Sequence, residues 1–322
     1  MKYIMKPLFK ERMQALLPNK EDFEAYEKII HIPPENFIRA NTLKISPENL
    51  LIKLKNKWKV IQPYKSNPEI ILVTENLIPG GLGNALEHLL GYYYIQEVSS
   101  MLPPIALEPK PGELVLDLCA SPGSKTSQMA MYMQNRGTII ANDFKLDRIK
   151  ILASNLEKNG ATNTIITRND AVSLCSRLSS STLPKFDKIL VDAPCSGEGT
   201  LRSSPKTFII WNPKVIKKFS RQQKKFVAST LKLLKKGGTL VYSTCTHAPE
   251  ENEEVVSFLL ENFPVKIEPL NLPLKTRPGI TSWKEKSYHN DVKHSCRVYP
   301  QDNNSEGFFI AKFTLLEELT TK

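Results

Sequence analysis

The sequence predicts an α/β protein: a mostly parallel sheet of seven strands with helices on both faces, preceded by a smaller N-terminal α+β domain. Three observations carry that expectation. From residue 113 onward, short apolar runs alternate with longer stretches of helical spacing, the order of strand, crossover helix and parallel strand. The stretch CRVYPQDNNSEGFFIAKF (296–313) reads as two strands around a turn, an antiparallel hairpin at the sheet edge. Before about residue 95 neither rhythm holds, and 322 residues exceed the needs of one small domain, so the chain divides into regions 1–95 and 96–322.

The elements follow in order. Apolar spacing and Pro and Asn breakers give helices at 9–17 and 21–30, a strand at 37–43, a helix from Pro47, and strands at 58–61 and 69–73. After the turn IPGGLG (78–83) and the run Tyr92, Tyr93, Tyr94 come strands at 113–119, 138–144, 163–170, 186–193 and 238–245. Helices lie between them at 124–133, 145–159 and 213–235. The C-terminal pair completes seven strands.

Composition narrows the class. Hydrophobic residues make up 41% and charged residues 24%, values of a folded globular chain rather than a disordered or fibrous one. No apolar run approaches the roughly 20 residues of a membrane helix, and MKYIMKPLFKERM lacks a signal-peptide core, so a cytoplasmic protein with no membrane association is expected. Five cysteines without a CxxC pair or a His-rich cluster argue for free thiols and no metal. The net charge is +11, and its whole excess sits in residues 201–236, which hold eleven basic and no acidic side chains. These are Arg202, Lys206, Lys214, Lys217, Lys218, Arg221, Lys224, Lys225, Lys232, Lys235 and Lys236. A polyanion-binding surface needs such a block, although a solvated helix face would also account for it. On helical spacing Val215, Phe219, Phe226, Val227, Thr230, Leu231 and Leu234 share a face, leaving Lys217, Lys218, Arg221, Lys224, Lys225 and Lys232 exposed.

In an open parallel sheet ligands bind beyond the carboxyl ends of the strands, so those ends carry the chemistry. The first runs LVLDLCASPGSKT, ending at Asp117 and turning through Cys119, Ala120, Ser121, Pro122 and Gly123 into a helix at Ser124 and Lys125. Small residues there let a ligand approach the backbone, and the helix start offers unpaired N–H groups. One glycine instead of three argues against a nicotinamide enzyme. The second strand ends in Asn142 and Asp143, where an acid can accept from both ribose hydroxyls; the third ends at Asp170, which could meet an adenine amino group. A helix N-cap is the alternative role for each acid. The fourth gives VDAPCSGEGT, with Asp192 and Cys195, and the fifth VYSTCTHAPEEN, with Cys245. Two thiols at neighbouring strand ends would face one pocket beside Asp192, whereas Cys175 and Cys296 read as buried packing residues.

These motifs make the chain recognisable. It resembles the Sun/Fmu family of S-adenosylmethionine-dependent RNA (cytosine-5) methyltransferases, and most closely its archaeal-type tRNA members. The resemblance runs from about Phe37 through QEVSS, DLCASPGSKT, ANDF, RNDA, DAPCSGEGT and STCTHAPEENE to EGFFIAKF, and the ordered pair PCSG and STCT is its most specific part. It implies a Rossmann-like class I methyltransferase fold. It also implies that residues 119–125, Asp143, Asp170 and Asp192 hold the cofactor S-adenosylmethionine and the target, with Arg148 beside the cofactor. Cys245 matches the nucleophile and Cys195 the thiol that helps release product. The motif reads PGS where many members have PGG. With no appended RNA-binding domain after the sheet, RNA capture is expected of region 1–95 and the basic block.

The chemistry accounts for the same parts. Carbon 5 of cytosine is a poor nucleophile; a thiolate adding to carbon 6 makes it reactive, provided that a group stabilises charge around ring nitrogen 3. Cys245 supplies the thiolate and Asp192 the contact. A base must then remove the carbon-5 proton so that the Cys245 bond can break, and Cys195 or a water that it positions is the candidate. An amino-group methylase needs no covalent thiol, and a small-molecule methylase has little use for the basic block. The same reaction on ribosomal RNA, or a non-catalytic RNA-binding protein of this fold, are the alternatives to tRNA methylation; the presence of Asp192 and both thiols disfavours the non-catalytic one.

Overall fold

The computed structural model describes residues 5–75 and 77–319. Its first part contains α1 (Pro7–Leu16), α2 (Lys20–Ile29), β1 (Asn36–Ala40), α3 (Pro47–Lys55), β2 (Lys59–Ile61), β3 (Ile70–Glu75), the short helices α4 (Gly81–Asn84) and α5 (Leu86–Leu89), and β4 (Tyr93–Ile95). Asn19 and Ser46 cap α2 and α3 by accepting the N–H groups of Asp22 and Asn49, and Pro47 opens α3 where no donor is lost. Strand β1 stops three residues earlier than expected. The Asn41 side chain leaves the ladder to donate to the carbonyls of Gly91 and Asn159, both at 2.8 Å, and a turn follows.

The four strands form an antiparallel sheet in the order β2-β3-β1-β4, backed by α3 through Ile38, Leu50, Leu54, Trp58 and Ile71. Helices α1 and α2 do not join that core. They pack Phe9, Met13, Phe23 and Tyr26 onto Phe208, Trp211, Ile216 and Tyr299. The buried Arg39 of β1 ties the small sheet to the rest by donating to Gln96, to the Ser127 hydroxyl at 2.8 Å and to the Ser124 carbonyl at 2.8 Å.

The second part continues with α6 (Leu102–Leu107), β5 (Leu114–Asp117), α7 (Ser124–Tyr132), β6 (Thr138–Asp143), α8 (Leu146–Asn159), β7 (Thr164–Arg168), α9 (Ala171–Ser179), β8 (Phe186–Asp192) and α10 (Thr207–Ile210). Then come α11 (Pro213–Leu231), β9 (Leu234–Thr244), α12 (Glu253–Asn262), β10 (Val265–Glu268), β11 (Arg277–Pro278), the paired β12 (Ser282–Trp283) and β13 (Lys286–Ser287), β14 (Cys296–Val298), α13 (Pro300–Asn303) and β15 (Phe308–Leu315). The main sheet runs β11-β14-β15-β9-β8-β5-β6-β7, with β10 also pairing β15. Strands β5 to β9 are parallel, and β15 closes on β9 antiparallel. This is the Rossmann-like architecture expected, with a mixed sheet.

The structure corrects several expectations. Among the described residues the sheet has nine strands rather than seven, because β10 and β11, four and two residues long, are too short for periodicity to register. The C-terminal pair is no edge hairpin: β15 lies between β9 and β14, and α13, not a tight turn, bridges the pair. Helix α11 ends at Leu231, and Leu234 already belongs to β9, which passes through an irregular stretch before Thr239 pairs Lys188. The buried face of α11 includes Ile216, Ser220 and Gln223 as well as Phe226, Val227, Thr230 and Leu231, while Val215 and Phe219 are half-buried. Burial of Phe226, Val227 and Leu231 stabilises the helix by about 1.5–3 kcal/mol per side chain. No helix among the described residues is long and apolar enough to cross a membrane.

Candidate active site

A cleft of about 490 Å³ opens beyond the carboxyl ends of β5, β6, β7 and β8, within the roughly 300–1,000 Å³ usual for small-molecule sites. The strand ends are locked together by Asn142. Its amide nitrogen donates to the carbonyls of Leu118 and Asn169 at 3.2 and 3.1 Å, and its oxygen accepts from the Thr167 hydroxyl and the Asn169 N–H, both at 3.0 Å. At the carboxyl end of β5 burial pushes the Asp117 carboxyl up to about 7, although the Thr126 hydroxyl donates to it at 2.7 Å.

Cys119, Ser121, Asp143, Arg148, Asp170, Asp192, Cys195 and Cys245 line this cleft. Burial pushes the Cys119 thiol far up, which keeps it protonated. Asp143 accepts Arg148 Nε at 3.0 Å, and Arg148 also donates to the Ser121 carbonyl at 2.6 Å. The arginine thereby joins the first loop to the second strand end. Asp170 caps α9 by accepting the Ser173 N–H at 3.0 Å, the alternative role read from the sequence, and it also borders the cleft.

The rest of the first loop stands behind the wall. Ala120 donates its N–H to the Asn142 carbonyl at 2.7 Å, the Pro122 carbonyl accepts from Asn155 at 2.8 Å, and the Ser124 carbonyl accepts from Arg39. Gly123 adopts φ +99°, and a Cβ there would lie 3.0 Å from Leu152, so the turn against α8 requires glycine. Lys125 turns away from the loop to reach Asp192, with Nζ 2.7 Å from Oδ2, and donates to the Ser100 hydroxyl at 2.9 Å. Asp192 Oδ1 accepts from Ser243 at 2.7 Å. Both partners fix the carboxylate's orientation.

At this end the two thiols meet, with Cys195 Sγ 3.1 Å from Cys245 Sγ. The contact with Cys245, reinforced by burial, pushes the Cys195 thiol well up. The loops come this close because Gly199 has no side chain: a Cβ there would lie 2.2 Å from the Gly307 carbonyl and 2.9 Å from that of Cys245. The Gly199 N–H instead donates to the Cys245 carbonyl at 2.9 Å. Beneath them Ser196 and Thr246 share a hydroxyl contact at 2.7 Å, and Trp211 donates to Glu198 at 2.8 Å. Cys175 and Cys296 are buried and apart from the cleft.

Helix α11 supplies wall residues that sequence reasoning did not place in the cleft: Phe219 and Phe226, read only as a shared helix face, and Gln222, not singled out. Their i, i+3, i+7 spacing was the available signal, masked by the surrounding lysines. Its next face forms a second cleft with Asp170, lined by Lys214, Lys217, Lys218, Arg221 and Lys225. Not all of the basic block is available. Arg202 is buried and donates to the carbonyls of Ile32, Pro33 and Ser305, Lys224 pairs with Glu254 at 2.9 Å, and Lys235 pairs with Asp187 at 2.6 Å. Lys224 therefore leaves the set expected to be exposed.

Known proteins resemble this chain in sequence and fold. Residues 5–98 match a model of the N-terminal domain of 16S rRNA methyltransferase RsmF, and residues 104–314 match the 16S rRNA methyltransferase RsmB/F model. A tRNA (cytosine(49)-C(5))-methyltransferase of Pyrococcus abyssi is 40% identical over 297 residues, 92% of either chain. Ribosomal RNA small subunit methyltransferase F of Erwinia tasmaniensis is 37% identical over 95% of this chain, which spans only 62% of that relative's length. Among solved structures, a methyltransferase homolog from Pyrococcus horikoshii aligns over 97% of this chain and 95% of its own at TM-score 0.84 and 35% identity. NSun6 from the same organism, solved with SFG, an analogue of S-adenosylmethionine, aligns over 97% and 99% at 0.82 and 26%. Strand-end acids, a paired-thiol loop system and matches along nearly the whole described chain converge on one conclusion: the chain belongs to the RsmB/F (Sun/Fmu) family of S-adenosylmethionine-dependent RNA methyltransferases.

Proposed function

We propose that this chain transfers a methyl group to carbon 5 of cytosine in tRNA through a covalent adduct on Cys245. The observation that carries this reading is the meeting of Cys245, Cys195 and Asp192 at one end of an acid-lined cleft. The donor set fits S-adenosylmethionine: Asp143 and Asp170 offer acceptors for ribose hydroxyls and an adenine amine, and the apolar edge of Phe219 and Phe226 suits the base. When bound, that cofactor supplies the methyl group. Residues 119–125, Asp143, Arg148, Asp170 and Asp192 are the residues assigned to hold it, those of the loop behind the wall by shaping the turn.

The chain's own groups do the rest. Asp192, placed by Ser243 and Lys125, orients the cytosine and carries the proton that ring nitrogen 3 takes up as charge develops there. Cys245 as thiolate adds to carbon 6, and the ring's electron pair becomes available at carbon 5. After methylation Cys195 as its thiolate, or a water beside it, accepts the carbon-5 proton, and the electrons of that C–H bond expel Cys245. Residues 1–95 and the exposed lysines of α11 form the RNA-binding surface, in a cytoplasmic enzyme.

The match to a tRNA enzyme over 92% of either chain supports tRNA as substrate. Ribosomal RNA is the second reading, because both family models and the RsmF relatives carry that name. Bisulfite sequencing of total RNA from a deletion strain separates them. The proposal expects a tRNA cytosine to lose its methyl mark, loss confined to 16S rRNA supports the second reading, and an unchanged methylome contradicts both.

A further inference from the structure

The loop that bears Cys195 is held by side chains rather than by the sheet. Between the N–H of Ala193, which donates to the Ser243 carbonyl, and that of Gly199, no backbone group of the loop bonds to a strand among the described residues. Beside the Ser196–Thr246 hydroxyl contact, its two backbone anchors come from elsewhere. Gln223 Nε2, on the buried face of α11, donates to the Pro194 carbonyl at 2.9 Å, and the Ser196 N–H donates to Glu251 Oε2 at 3.0 Å. The anchors are joined, because Gln223 Nε2 also donates to that same Glu251 oxygen at 2.9 Å. Both side chains are fully buried.

We propose that Gln223 and Glu251 are positioning residues that set the Cys195 thiol against the Cys245 adduct. They grip the peptide units on either side of Cys195, so the thiol's place is fixed from α11. One residue away on that helix Gln222 lines the cleft, and Lys217, Lys218, Arg221 and Lys225 form the basic cleft beside it. RNA held on that outer face and the release group below thus share one rigid element. The inference rests on the two-thiol reading, and it assigns to the pair a role in breaking the adduct rather than in forming it.

The two donors converge on one oxygen of Glu251, which makes the test specific. Gln223→Met and Glu251→Met remove the grip, Gln223→Asn is a milder change too short to span it, and Glu251→Gln keeps an oxygen in place. Each purified full chain is incubated with methyl-labelled S-adenosylmethionine and total RNA from a strain lacking the protein. Methyl incorporation and the lifetime of the protein–RNA adduct on denaturing gels are then followed. The expected result is an adduct lifetime lengthened about 10-fold or more in both Met variants and in Gln223→Asn, beyond any slowing of methyl incorporation, with Glu251→Gln restoring the short lifetime. Lifetimes equal to that of the unaltered chain in folded variants, or slowing of both steps in parallel, overturn the inference. Cys195→Ala is run alongside: if it traps no adduct, the two-thiol reading itself fails, whereas trapping by Cys195→Ala alone removes only Gln223 and Glu251.

Discussion

The two ends of the cleft are built differently. At the end proposed for the cofactor, Asp143 and Asp170 stand on consecutive strand ends and are held by near neighbours: Arg148 takes Asp143 five residues away, and Asp170 caps its own helix. At the thiol end every group depends on distant sequence. Lys125 meets Asp192, Ser243 meets Asp192, and the Cys195 loop hangs from residues 223 and 251. The cofactor end is therefore modular and tolerant, whereas the thiol end is a jointly packed unit in which one change disturbs several groups.

That contrast sets the expected effects. Cys245→Ala should lower methyl transfer by at least about 10³-fold with folding intact, because no other group can replace the nucleophile; a rate assay with labelled cofactor measures it, and a variant within tenfold of the unaltered chain would make the ends equivalent. At the other end Asp143→Ala should weaken S-adenosylmethionine binding by only about 1–3 kcal/mol, read by calorimetric titration, and unchanged affinity would remove Asp143 from the site.

Stability should sharpen the same comparison. His247, two residues beyond Cys245, stacks on Tyr299 at 5.0 Å, and burial, aided by the Arg297 charge, pushes its imidazole down to about 3. Its pKa is depressed in the folded state, so the unfolded chain binds the proton first. The folded state therefore loses stability as pH falls from about 6.5 towards 3, by about 1.4 kcal/mol per pH unit from this group. Denaturant titrations of His247→Gln should show that part of the slope gone. The smallest effect is expected outside both ends: Lys217→Gln with Arg221→Gln should lower the slope of log RNA affinity against log salt by about 1–2, and an unaltered slope would return the basic face to mere solvation.

The contrast also explains what the sequence revealed. That Asp143, Asp170, Asp192 and both thiols border one cleft was legible because each stands at or just past the end of a strand, and strand ends in a parallel sheet open onto one crevice. Lys125 was legible only as part of a loop, since its partner lies 67 positions away along the chain. Gln223 was hidden inside a helix whose lysines dominate its pattern. Strands β10 and β11 escaped because their pairing to β15 and β14 is tertiary, with too few residues for periodicity to register. Arg202 and Lys224 show the same limit for charge: composition counts cations, but only the fold tells which are already paired.

The central claim is the division of labour between the thiols, and a single denaturing gel tests it. Cys195→Ala, incubated with total RNA and S-adenosylmethionine, is predicted to accumulate a methylated protein–RNA adduct that survives denaturation, while Cys245→Ala forms none. Accumulation in Cys245→Ala instead would reverse the two roles, and two active variants that trap no RNA would contradict covalent catalysis by this pair.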